Sequence, residues 1–345
     1  MKLTFDQIRS VTRGAAYVTE EADGIHFHRF TPAQEEYYRP TGHREKAFST
    51  AGIRLSFLTD STALTLKVQV APGSSRTYFA HDLLIDGVPA DSLDNYRDVK
   101  LPPVYTGVRL PMGHAEKTFS LADGEDETVS GRTRQIDLCL PWSVCSVLEE
   151  LSLDDGASVT PVIPAQKILQ FGDSITHGYD ALHPADAYSV RLADALGMEG
   201  FNKAIGGEMF CPGLAALKDE FAPAVITVAY GTNDWSNRTP DVYAENCRGF
   251  WETLRQTYPD ARIFALLPIW RGDQKPDRKF GEFTEIYPLI QQICGDVGGI
   301  EVIDCYDFVP KDPAYFADRV LHPNDAGFIQ YFHNLYTEIK KRLNH

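Results

Sequence analysis

Residues 170–178 read Gln-Phe-Gly-Asp-Ser-Ile-Thr-His-Gly and overlap an apolar run, Ile168, Leu169 and Phe171, of the kind a buried strand shows. This pattern puts Ser174 on a sharp, glycine-bearing turn where the strand ends. In a parallel α/β sheet the carboxyl ends of the strands border the ligand crevice, so a serine held there meets substrate while its backbone stays anchored in the core. A serine hydroxyl is a weak nucleophile until a base takes its proton. The segment Phe316-Ala-Asp-Arg-Val-Leu-His-Pro-Asn-Asp supplies a base, His322, with Asp318 on the same loop to orient the ring. Two further segments offer donors for a developing oxyanion. Residues 202–207 end in two glycines, which leave backbone N–H groups unhindered. The buried-strand run 225–229 leads into Tyr-Gly-Thr-Asn-Asp, which brings the Asn233 amide to the same rim.

These four blocks, in this order, resemble those of the SGNH hydrolases, the GDSL esterase and lipase superfamily. Ser174 in Gly-Asp-Ser-Ile-Thr matches the nucleophile block, and Gly207, five residues beyond Asn202, matches the glycine whose N–H joins the oxyanion hole. Asn233 in Gly-Thr-Asn-Asp matches the asparagine donor, and His322 in Leu-His-Pro-Asn-Asp matches the base. The resemblance covers roughly residues 165–345. It implies a flavodoxin-like, three-layer parallel sheet and an acyl-enzyme route, with Ser174 and His322 catalytic and with Ser174, Gly207 and Asn233 forming the oxyanion hole. One position departs from the pattern. The family usually carries its acid three residues before the histidine, where this chain has Arg319, and an arginine cannot accept the imidazole N–H. Asp318, one residue further back, is the expected acid, delivered by a small bulge in the loop; the alternative is a Ser-His dyad with a backbone carbonyl orienting the ring. The remaining nearby carboxylates are Asp325, read as a cap of the last helix, and Asp312, read as a turn residue before Pro313.

The elements that must position these residues fall into two textures. Beyond residue 160, strands alternate with helical runs such as 187–196, 242–258 and 328–343, as a parallel α/β sheet requires. Before residue 160 the chain shows short alternating runs punctuated by glycine, proline and aspartate, which predicts an all-β sandwich of jelly-roll type. Ile53, Leu55 and Phe57, then Leu64, Leu66, Val68 and Val70, are read as a hairpin around the turn residues 59–61. Prolines at 161 and 164 mark the expected boundary between a domain at 1–162 and a catalytic domain at 163–345.

A β-sandwich ahead of such a domain resembles two-domain carbohydrate esterases, which implies an O-acylated carbohydrate or glycoside as substrate, most simply an acetyl ester. Trp235 and Trp270, near the predicted rim, are candidates to stack on a sugar or to block the acyl pocket, and Arg271 to meet an anionic group. Two other readings stand beside this one: a lipolytic esterase or lysophospholipase, and a non-catalytic carbohydrate-binding relative that has lost its acid.

Whole-chain numbers exclude some classes. A net charge of −15 over 345 residues, with no basic stripe, opposes nucleic-acid binding. The first residues mix acid and base too early for a signal peptide, and no stretch has the apolar length of a membrane span, so a cytoplasmic location is expected. Six scattered cysteines suit free thiols. The ten histidines show no metal-ligand spacing, and neither a metal nor another cofactor is expected. Oligomeric state stays open.

Overall fold

The structure, a computed structural model, describes residues 1–122, 132–275 and 278–344. Strands up to Pro161 form two antiparallel sheets, and strands from Gln166 onward form a parallel one. The first antiparallel sheet runs Thr12–Arg13, Arg54–Thr59, Arg134–Cys139, Ala80–Ile85, Val88–Asp94, with Thr160–Pro161 also pairing to Arg54–Thr59. The second runs Tyr17–Glu21, Gly24–His28, Val144–Leu153, Ala63–Pro72, His114–Ser120. Their inner faces share one core, with Leu55, Phe57, Ile136 and Leu138 meeting Leu64, Leu66, Val68 and Leu151. This is the expected sandwich.

The expected hairpin is not there. Arg54–Thr59 pairs with Arg134–Cys139 in one sheet, while Ala63–Pro72 pairs with Val144–Leu153 and His114–Ser120 in the other. The turn between them closes on itself: the Ser61 N–H donates to Thr59 Oγ1 at 3.2 Å and Ser61 Oγ to the Ala63 carbonyl at 2.7 Å. It hands the chain across the core as an arch. Alternation with period two shows which face of a strand is buried, but the two legs of an arch and the two arms of a hairpin share that period.

The parallel sheet has the order Met198–Asn202, Gln166–Gly172, Val225–Ala229, Arg262–Leu266, Ile300–Ile303. In chain order this is 2-1-3-4-5, the flavodoxin-like arrangement, with the reversal of strand order at Gln166–Gly172. Helices Pro240–Thr257 and Ile286–Val297 cover one face, and Tyr188–Ala195 and Asp325–Leu343 the other. Ser174 follows the strand at the reversal, where the crevice of such a sheet opens.

One N-terminal segment crosses between the two halves. Thr31 begins the helix Pro32–Tyr38 with a capping box, its hydroxyl accepting from Gln34 N–H while the Gln34 side chain accepts from Thr31 N–H. Phe30, Tyr38 and Ala47 of this region pack into the core of the α/β half with Phe201, Phe210 and Trp251. Among the described residues no helix is long and apolar enough to cross a membrane.

Candidate active site

Gly172 explains why the strand can turn straight into a helix. A Cβ there would lie 2.2 Å from Thr176 Oγ1, so the first turn of Ser174–His177 sits directly against the strand end. Asp173 caps that turn by accepting from Ile175 N–H at 3.0 Å. Ser174 is 6% exposed.

The base arrives on a loop that organises itself. Ala317 N–H donates to the His322 carbonyl at 2.8 Å, and Phe316 bridges to Pro323, so the loop's ends are pinned together. Between them Arg319 adopts φ +66°, in the left-handed region, which makes room for the extra residue. Asp318 then turns inward. Its Oδ1 accepts from the N–H groups of Val320, Leu321 and His322 at 2.9, 2.7 and 3.1 Å, and its Oδ2 from His322 Nδ1 at 2.8 Å. Burial alone would raise this carboxyl's pKa, but the bond and charge of His322, with the Leu321 and Val320 N–H groups, outweigh it and hold the group well below the usual carboxylate range. A carboxylate only accepts, so Nδ1 carries the proton and Nε2 is free to accept from Ser174 Oγ, 2.9 Å away. A hydroxyl, an imidazole and a carboxylate in this line have the geometry by which a base can take a serine proton.

On the other side of Ser174, loops after the two neighbouring strands carry the candidate donors. Gly207 has φ +90°, and at Gly206 a Cβ would lie 2.6 Å from Tyr179 Oη, so the chain there passes too close for any side chain. Among the described residues neither the Ser174 nor the Gly207 N–H has a protein acceptor. Asn233 gives one amide hydrogen to the Glu208 carbonyl at 3.0 Å, which ties its loop to the glycine loop and leaves its second amide hydrogen for a ligand.

Three residues outside the sequence-based set hold this side in place. His177 Nε2 lies 3.0 Å from the Trp142 carbonyl, which can only accept, so Nε2 bears the proton and Nδ1 accepts from Gly206 N–H at 3.2 Å. Burial, then the charges of Arg29 and Lys46, lower the His177 pKa well below its usual value and keep the ring neutral. Arg29, wholly buried, donates to the carbonyls of Ser49, Lys46, Asn202 and Ala204 at 2.8, 2.8, 2.8 and 3.0 Å. Lys46 Nζ reaches the Gly206 carbonyl at 2.5 Å. His177 stood in the nucleophile block and carried a signal; Arg29 had none, because its acceptors lie on distant segments.

Asp180 is the fourth residue missed. Its Oδ2 sits 3.4 Å from His322 Nδ1. Among the described residues, Asp180, Asp318 and His322 form one of two groups close enough to share a cation, the other being the surface set Glu21, Asp23 and His26. In the first the Nδ1 proton lies between the carboxylates, and in the second His26 Nε2 already bonds Asp23 at 2.8 Å.

The aromatic and arginine candidates need correction. Trp235 is 0% exposed, with Nε1 donating to the Gly281 carbonyl at 2.9 Å and its ring against Phe283 and the guanidinium of Arg271, so it cannot stack on a sugar. Arg271, 5% exposed, is consumed by Asp273 at 2.5 and 2.9 Å and by Thr232 at 3.1 Å, leaving nothing for an anionic ligand. Trp270 is half-buried and packs on Phe316 at the root of the base loop, with ring centroids 5.4 Å apart. Asp325 does not cap the last helix; Asn324 does, accepting from Gly327 N–H at 3.0 Å, while Asp325 Oδ1 accepts from Leu182 N–H at 2.9 Å. Asp312 caps a short turn through Ala314 N–H at 2.9 Å. All six cysteines are free.

Comparison with known proteins agrees with this fold. No curated protein matches the chain in sequence. Among solved structures it is similar to a salicylyl-acyltransferase, SsfX3, from a tetracycline biosynthetic pathway, at 19% identity and TM-score 0.76 over 96% of this chain and 94% of that one. It is also similar to a GDSL-like lipase described as putative from Bacteroides ovatus, at 19% identity and TM-score 0.73 over 100% and 98%. A third, a family two carbohydrate esterase from Clostridium thermocellum in complex with cellohexaose, has 16% identity and TM-score 0.63 over 86% and 94%, and shares the two-domain layout. Residues 171–328, within the α/β half, match the model of the GDSL-like Lipase/Acylhydrolase family.

Proposed function

We infer that this chain is a serine esterase which removes a small acyl group, most simply acetyl, from an O-acylated carbohydrate or glycoside. The observation that carries the reading is the continuous line from Ser174 Oγ to His322 Nε2 at 2.9 Å and from His322 Nδ1 to Asp318 Oδ2 at 2.8 Å. His322 takes the Ser174 proton as the hydroxyl attacks the ester carbonyl. The N–H groups of Ser174 and Gly207 and the free amide hydrogen of Asn233 meet the charge that forms on the carbonyl oxygen. The protonated imidazole then gives its proton to the leaving alcohol, and the same ring activates water to release the acid.

The polar surroundings of Gly207 favour a hydroxyl-rich substrate over a lipid. His43 and Lys46 approach within 3.6 Å of where a side chain at Gly207 would begin, and Glu208 follows it. The shared layout with carbohydrate esterases supports the same class. We place the domain division at 162/163, and buried thiols such as Cys139, Cys247 and Cys305 support a reducing, cytoplasmic setting.

The test is release of p-nitrophenol from acetyl and octanoyl esters, with acetylated xylo- or cello-oligosaccharides as the second substrate set. Acetyl turnover abolished by Ser174→Ala is expected, with labelling of Ser174 by a fluorophosphonate. Preference for the octanoyl ester would favour the lipolytic reading, and turnover surviving Ser174→Ala would end the serine mechanism.

A further inference from the structure

Asp180 belongs to none of the four motif blocks, yet it is the second carboxylate facing the imidazole. It is wholly buried and keeps φ +72°, a backbone state that non-glycine residues avoid unless their surroundings impose it. A buried carboxylate needs partners, because an isolated ion in a protein interior is strongly disfavoured. Apart from His322, those partners come from the sandwich half. Arg76 closes a two-pronged pair, Nε to Oδ1 at 2.6 Å and Nη2 to Oδ2 at 2.9 Å, and the Tyr78 hydroxyl donates to Oδ1. Tyr105 holds the Asp180 backbone carbonyl at 2.6 Å. The Arg76 guanidinium also covers the Tyr179 ring at 5.5 Å, and Tyr179 stacks on the imidazole of His322 at 5.8 Å and 29°. Arg76 therefore reaches the base by two routes, charge through Asp180 and packing through Tyr179.

We propose that Asp180, fixed by Arg76 and Tyr78, is a positioning residue of the catalytic base and the reserve acceptor for its Nδ1 proton, so that the sandwich half is a working part of the site. The proposal rests on the serine esterase reading. In the resting arrangement the proton goes to Asp318 at 2.8 Å, while Asp180 at 3.4 Å adds a second negative neighbour for the imidazolium that forms during attack. With Asp318 neutralised, a small rotation of the ring closes the longer gap to a hydrogen bond.

The experiment is a double-mutant cycle on p-nitrophenyl acetate with wild type, Asp318→Asn, Asp180→Asn and the double variant. Asp318→Asn is expected to lower kcat by roughly 10- to 100-fold, Asp180→Asn by a few-fold, and the pair by about 10⁴-fold, with KM little changed throughout. That exceeds the product of the single losses, which is the mark of two groups serving one function. If Asp180 merely ties the two halves together, its removal lowers thermal stability and the Asp318→Asn penalty is the same in both backgrounds; that result overturns the proposal. Should Asp180→Asn fail to fold, Tyr78→Phe, which removes one bond to the same carboxylate, takes its place in the cycle. Arg76→Ala is expected to lower kcat about tenfold with partial recovery in Arg76→Lys, and an unchanged kcat in Arg76→Ala counts against the idea. A second readout does not depend on turnover: the downfield proton resonance of His322 Nδ1 should persist in Asp318→Asn and vanish in the double variant, and its loss in Asp318→Asn alone also overturns the proposal. A wild-type protein that neither turns over ester nor takes the fluorophosphonate, with the resonance behaving as expected, would instead remove the esterase reading.

Discussion

The two flanks of Ser174 are built on opposite principles. The base flank, residues 316–323, is stabilised within eight residues by the Asp318 carboxylate collecting three backbone N–H groups and by the Ala317–His322 bond. The oxyanion flank, residues 202–208, is held from outside, by Arg29 and Lys46 from the N-terminal segment and by His177 from the nucleophile turn. A loop that carries its own anchors keeps its backbone shape when its surroundings change, even where the ring it presents answers to a neighbour such as Asp180. A loop anchored from afar inherits every weakness of the contact.

The largest effect that sharpens this contrast is on the oxyanion side. Asn233→Ala should cost about 100- to 1,000-fold in kcat with KM nearly unchanged, since a donor that acts in the transition state is lost. A change confined to KM would mean that the amide meets substrate rather than the developing charge. Next, Arg29→Met takes a donor from four carbonyls, those of Ser49, Asn202, Ala204 and Lys46, the last of which keeps the Ser49 hydroxyl as a partner. At about 1–3 kcal/mol for each buried group left unpaired, partly relieved by relaxation, the unfolding free energy should fall by about 3 kcal/mol and kcat by about 100-fold. Equal loss of stability with full kcat would show that the oxyanion loop keeps its shape without outside support.

On the base side the expectation is reversed. Arg319→Gly removes a left-handed φ from a side-chain-bearing residue and should stabilise the protein by up to about 1 kcal/mol while kcat stays within about twofold. Arg319→Val, whose branched side chain resists that φ, should pull Asp318 out of line and lower kcat. If Arg319→Gly is as damaging as Arg29→Met, the loop is not self-supporting.

The smallest effect concerns the contact between the halves. His183 of the α/β half bonds Asp82 of the sandwich at 2.8 Å, and this bond, against the opposing influence of burial, raises the His183 pKa to about 9. A raised cation contributes stability that is complete below its unfolded value near 6.5 and is lost as pH climbs toward about 9. Thermal midpoints should therefore drop over that interval, and His183→Gln should flatten the drop. A slope unchanged in His183→Gln would assign it elsewhere.

Legibility in the sequence followed the same division. Ser174, His322 and Asp318 could be read because each sits in a short segment whose own residues dictate its shape; even the one-residue offset at Arg319 was answerable by a bulge. Helical runs at 187–196, 242–258 and 328–343 were readable for the same local reason and match Tyr188–Ala195, Pro240–Thr257 and Asp325–Leu343. Arg29, Asp180 and Arg76 were invisible because their partners lie on remote segments, 104 residues away for Arg76 with Asp180. The error over Trp235 has a related cause: sitting two residues after Asn233 puts it on the far side of the helical turn, against Phe283 and Arg271 rather than toward the crevice. The arch at 59–62 misled because burial has a period and partnership does not.

Arg29 and Asn202 meet across 173 residues of chain. During synthesis the N-terminal segment therefore emerges long before the surface that receives it, and Phe30 and Tyr38, destined for the core of the other half, stay uncovered until the strand at Met198–Asn202 has left the ribosome. That segment is thus unable to reach its final state before the later half is made, which makes its docking a late event and leaves Phe30 and Tyr38 in need of cover while translation proceeds.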